Sequence, residues 1–168
     1  MASVITLGLV DIKVGAPAAD GGPGTTLAKI GKTYKNTCNL VQDVADVTEH
    51  FEEGKASPEV RRKFKKSAVL TFSIMDPDLQ FLSDYVGGAV SGSGASATWN
   101  FDGAVIIPDK TVVATPQQGL EITIPRGDIE AVINSDFSDE GIFLVDFTVT
   151  PLTPTKTGVG PVQAKVKA

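Results

Sequence analysis

The stretch from Val60 to Gly88, VRRKFKKSAVLTFSIMDPDLQFLSDYVGG, changes its hydrophobic period halfway along, and that change limits what the chain can fold into. It opens on a basic run, Arg61-Arg62-Lys63-Phe64-Lys65-Lys66. Phe64, Ala68, Leu70, Phe72 and Ile74 then face one way and Ser67, Thr71 and Ser73 the other, the period-two signature of a half-buried strand. From Asp76 the period lengthens. Asp76 suits a helix N-cap, Pro77 the first helical position, and Asp78 the positive end of a helix. Leu79, Leu82 and Val86 form one stripe, with Phe81 and Tyr85 beside it. Gly87 and Gly88 supply a left-handed stop. A long strand that runs straight into a short amphipathic helix predicts a mainly-β fold packed around that helix.

A chain of 168 residues fits one domain, and folding at this size hides roughly 70% of the unfolded chain's surface. The net charge of −5 argues against a protein that coats DNA, which would be basic, but not against one that DNA slides past. Cys38 is the single cysteine, so no internal disulfide forms and no oxidising compartment is required. The start, MASVITLGLVDIKVG, lacks a basic region and is broken early by Asp11, so it reads as a strand and not as a signal peptide. No segment approaches the ~20 apolar residues of a membrane helix. Synthesis and folding in a cytoplasm are expected.

Along the chain, Val4 to Val14 reads as a first strand, Gly15 to Gly24 as a loop, and Thr26 to Tyr34 as a short extended piece with Lys29, Lys32 and Lys35 on a solvated face. Thr37 to Phe51 suits either a helix or a strand, and an irregular strand is favoured. After a turn at 53–58 the strand from Arg62 to Ile74 returns, so residues 37–74 form a long two-stranded arm. The glycine- and serine-rich stretch 87–96 is expected to be a flexible loop. Short strands are expected at Thr98–Phe101 and Ala104–Ile107 around the Asp102-Gly103 turn. Further strands are expected at Leu120–Ile124 and Ile129–Ile133, and a polar turn at 134–141. The last strand alternates most cleanly: Phe143, Val145, Phe147 and Val149 against Asp146, Thr148 and Thr150, with Pro151 closing it. This divides the chain into a β domain at 1–152, with its helix at about 77–86, and a C-terminal tail at 153–168 that is flexible or ordered only by a partner.

No catalytic constellation appears. His50 is the one histidine and sits among Glu49, Glu52 and Glu53, a solvated position. One His and one Cys cannot build a histidine-rich zinc site. Cys38 reads as small and inert, with no basic group placed to activate it. Asp76 and Asp78 are better explained by helix capping than by calcium, and Asp136, Asp139 and Glu140 lack the ligand spacing of a calcium loop. The paired glycines are not followed by Gly-Lys-Ser/Thr and make no phosphate loop. Trp99, with Phe101 and Tyr85, could form a sugar-stacking surface, although the alternation around Trp99 favours burial. No enzyme, cofactor or metal is therefore expected.

The informative feature is a charge asymmetry. Glu49, Glu52 and Glu53 precede the turn of the arm, and Arg61, Arg62, Lys63, Lys65 and Lys66 follow it. One reading is a solvated hairpin whose cross-strand pairs are each worth little. The other is a self-complementary inter-subunit interface, acidic on one copy and basic on the next, arranged head to tail.

The order of these elements resembles the phage tail tube proteins, whose fold is shared with the tubes of contractile injection machines. The likeness rests on the arm through Val60–Ile74, the helix Asp76–Val86 directly after it, and the closing strand GIFLVDFTVTPL at 141–152; it covers most of residues 1–152 and is one of layout, not of a short motif. It implies a β-sandwich or barrel with one flanking helix and a long hairpin arm, assembled as hexameric rings stacked into a tube in the virion tail. It implies a non-catalytic conduit through which a genome passes without sequence-specific DNA binding. Partners would be other copies of the chain, with tape-measure, tail-terminator, baseplate or sheath proteins beside them. An unpaired arm is an aggregation hazard, and ring closure would convert it into an assembly device, with the open sides of the barrel completed by neighbouring copies. An acidic lumen would repel phosphate. The rival from another class is a β-sandwich binding module, carbohydrate-binding or adhesin-like, that uses Trp99; an enzyme of unrecognised type is a distant third.

Overall fold

The computed structural model describes residues 3–104 and 107–167. In chain order the strands are β1 (Asp11–Gly15), β2 (Ala28–Lys29), β3 (Asn39–Gln42), β4 (Asp46–His50), β5 (Val60–Phe64) and β6 (Ala68–Ile74), followed by one helix. Then come β7 (Ala89–Ser91), β8 (Thr98–Asn100), β9 (Lys110–Thr115), β10 (Leu120–Ser135), β11 (Phe143–Pro151) and β12 (Gln163–Val166). The chain is mainly β, as its alternation predicts.

The main sheet runs β1-β9-β10-β11-β6, every neighbour antiparallel. It closes on itself through one segment. Ala28 and Lys29 pair with Val14 and Lys13 of β1, and Ile30 N–H donates to Ile12 C=O. A few residues on, Thr33 bridges Ile74, Tyr34 N–H donates to Ser73 C=O, and Met75 N–H donates to Lys32 C=O. The same segment therefore pairs with both β1 and β6, and the barrel has no open side there. This corrects the expectation that copies complete the barrel: a stretch of its own chain does so.

The inward positions of each strand carry the core: Ile12 and Val14, Leu70, Phe72 and Ile74, Val112, Ile124, and Val145, Phe147 and Val149. Phe72 and Phe147 face each other across β6 and β11 and stack at 4.9 Å. The helix lies over this pair, with Phe81 and Tyr85 edge-on to Phe147 at 5.7 and 5.4 Å and Leu82 buried.

The helix differs from the sequence reading at its start. Asp78, not Asp76, is the N-cap: its carboxylate accepts from Phe81 N–H at 2.7 Å. Asp76 is taken instead by Lys32 N–H, also at 2.7 Å, beside the barrel-closing segment. The helix opens as a single α-turn, α1 (Leu79–Phe81), and continues as a π-turn over Leu82–Val86. Gly87 and Gly88 stop it with φ of 106° and 85°; a Cβ on Gly88 would stand 2.3 Å from the Asn100 carbonyl oxygen.

Four further expectations are corrected. The stretch 87–96 is not simply a loop, because Ala89–Ser91 pairs with Thr98–Asn100. That hairpin gives β8 a partner other than 104–107; Ala104 and Ile107 lie outside strands, and residues 105 and 106 fall outside the described residues. The strands at 120–124 and 129–133 are one, β10, bulged between Ile124 and Gly127. The C-terminal tail is ordered by its own chain. β12 pairs with Leu120–Thr123, the part of β10 that β11 does not reach, and Lys167 N–H donates to Gly119 C=O. Sequence reading also passed over β9, whose Thr111–Thr115 is wholly buried. Among the described residues no helix is long and apolar enough to cross a membrane.

Candidate assembly surface

The arm begins as part of the barrel. β3 pairs with β6, Gln42 opposite Ala68. Four residues outward on each strand, Asp46 faces Phe64, and the pairing runs on to His50 opposite Val60. The register is therefore unbroken from the core strand to the arm's end, although the ladder lapses at 43–45 and 65–67. There the Gln42 side-chain amide donates to Lys66 C=O at 2.7 Å. What stops at the barrel is burial, not pairing. Every residue of β3, β4 and β5 is exposed. Val44 is 88% and Phe64 59% exposed, with Val41, Val47, Phe51 and Val60 also in the open.

Alternation sorts the side chains. Arg61, opposite Glu49, and Lys63, opposite Val47, share one face, and Lys65 falls on it too. Arg62, Phe64 and Lys66 share the other with Thr48 and Asp46. Arg61 Nε donates to Glu49 Oε1 at 2.7 Å. Lys66 Nζ lies 3.0 Å from Asp46 Oδ1, and that carboxylate holds the ammonium above its ordinary pKa. At the tip Lys55 pairs with Glu52 and with Glu59.

Of the eight charged residues expected at an interface, the structure thus matches Glu49 with Arg61 inside one copy, Glu52 with Lys55, and Lys66 with Asp46. Glu53, Arg62, Lys63 and Lys65 have no ion pair among the described residues. These pairs lie in water, where solvent screening leaves each worth little. Among those eight the unpaired charge is mostly basic, but Lys55 is shared by Glu52 and Glu59, and Asp43 has no ion pair among the described residues, so the arm as a whole carries balanced charge. Sequence reading missed the other half of this surface, the large apolar residues. Their signal was present in the alternation past Ala68, but alternation does not tell where a sheet leaves its core.

The remaining candidates have structural settings. His50 is exposed, opposite Val60. Cys38 packs against the core, and burial pushes its thiol pKa up, which makes it less reactive. Trp99 packs on the core and its indole N–H donates to Gly87 C=O at 2.8 Å; of the proposed sugar-stacking trio only Phe101 is freely exposed. Among the described residues no three His, Cys, Asp or Glu side chains gather as metal ligands. The sequence matches no family model, and no curated protein matches it.

Proposed function

We propose that the chain is a non-catalytic structural subunit that polymerises through its arm, as a tail tube protein does. On this reading hexameric rings stack into a tube with a central channel for genome delivery. The subunit is made in a host cytoplasm and works in the virion tail. DNA passes the lumen without sequence-specific contact, and tape-measure, tail-terminator, baseplate or sheath proteins are its further partners.

The observation that supports this best is the arm itself. A two-stranded ribbon that continues core strands in register, with its edges unpaired and large apolar residues in water, is marginal alone. Pairing with another copy covers both. Closure of the barrel within one chain narrows the proposal: the subunit folds first and assembles second, and the arm is the part that waits for a neighbour. Electron microscopy and sedimentation of the purified chain test it. Rings or tubes are expected. Compact monomers at high concentration, even with tail-initiating partners present, contradict it.

A further inference from the structure

Away from the arm, two features are complementary. The first is the tip between β10 and β11. Phe137 is 89% exposed there, among Asp136, Asp139 and Glu140, none of which has an ion pair among the described residues. The turn is held in shape: Asp136 Oδ1 accepts from Ser138 N–H at 2.9 Å, and Gly141 N–H donates to Ser138 C=O at 3.0 Å. An aromatic ring is thus presented on a fixed acidic turn.

The second is a cleft of about 650 Å³ beside the barrel's closing segment, where the chain before β1 parts from residues 32–36. Leu9, Tyr34 and Cys38 line it, and Lys29, Lys32 and Lys35 rim it. All three lysines are exposed and none has an ion pair among the described residues. Among the described residues no carboxylate lines the cleft.

The two belong to different ends of the same strand. The cleft includes Gln117, just before β10 begins at Leu120, and Phe137 follows Ser135, where β10 ends. No hydrogen bond or ion pair joins them within one chain among the described residues.

We infer that the Phe137 tip of one copy docks into the lysine-rimmed cleft of the next, with the ring on the apolar lining and the carboxylates against the ammoniums. Aromatic anchors surrounded by a charged rim are what concentrate binding energy in small interfaces. Because tip and cleft are different surfaces at different ends, the contact is heterologous and repeats along one direction. It does not depend on the arm or on the formation of rings.

The test places a benzophenone amino acid at position 137 and maps the cross-linked peptides of the full chain. Cross-links to residues 29–38 of a second copy are expected. Sedimentation should show self-association weakened about tenfold by Phe137→Ala and by Lys32→Glu with Lys35→Glu. An equal mixture of that charge variant with Asp139→Lys/Glu140→Lys should recover it. These positions are exposed, so thermal melts should match the parent. Cross-links to another surface, or association unchanged by either variant, would overturn the inference even if tubes form. Cross-links at the cleft in open chains without rings would uphold it while contradicting the tube reading.

Discussion

The barrel and the arm obey the same backbone rules and differ in what their side chains meet. β6 and β3 hydrogen-bond in one register that β5 and β4 continue, and residues alternate faces throughout. Inside the barrel, Leu70 and Phe72 are fully buried; on the arm, Phe64 occupies the next suitable position on the same face in water. Pairing alone makes a ribbon, whereas burial makes it stable. The arm therefore carries apolar surface that its own chain leaves uncovered.

Replacement of a ring on each side of that boundary should give the largest contrast. Phe147→Ala removes the partner of Phe72, Phe81 and Tyr85 and should cost about 3–5 kcal/mol in denaturant unfolding. Phe64→Ala should leave monomer stability within about 0.5 kcal/mol while weakening assembly. Equal losses of stability would break the distinction between the regions.

Next in size is a polar contact with no counterpart on the arm. Thr111 Oγ1 accepts from Gly24 N–H at 2.8 Å and donates to Pro125 C=O at 2.7 Å, fully buried. Thr111→Val keeps the shape and orphans both groups, so unfolding should become easier by about 1–3 kcal/mol.

Charge reversal on the arm should do the opposite. Arg61→Glu, Arg62→Glu and Lys63→Glu together should leave the melting temperature of the monomer nearly unchanged and reduce assembly. Unchanged assembly would dismiss a charged interface on the arm.

The smallest effect concerns β12. Lys165 Nζ, 2.8 Å from Glu121 Oε1, holds that carboxyl below its ordinary pKa of 4.5. A carboxyl depressed on folding contributes stability above its unfolded pKa and loses it as pH falls through the folded value. The protection of the Gln163–Val166 amides, measured relative to their intrinsic exchange rates, should therefore fall below about pH 4.5. Glu121→Gln should remove most of that pH dependence.

How much of this was legible depended on whether the cause was local. β6 and β11 were plain because their alternation is long and each buries one face. The helix was placed correctly but started on the wrong aspartate, since Asp76 and Asp78 are equally good caps. The choice between them is made by Lys32, far away in sequence. β9 was missed because Thr111–Thr115 is buried throughout and shows no alternation, and Pro108 and Pro116 leave it short. The C-terminal tail looked mobile from its Thr, Pro, Gly and Lys content. Its order comes from an edge of β10 that β11 leaves vacant. The arm's charged residues were legible singly, but the neutralisation of Glu49 by Arg61 required the register. Closure of the barrel by residues 28–34 requires one segment to serve two strands, which no periodicity reports.

Hydrogen exchange, followed residue by residue in dilute and in assembled protein, separates the barrel from the arm. Barrel amides in β6, β9 and β11 should be protected in both states, while those of Asp46–His50 and Val60–Phe64 should exchange quickly in the free subunit and become protected on assembly. Arm amides as protected as the barrel in the free subunit, or still unprotected in the assembly, would contradict that division.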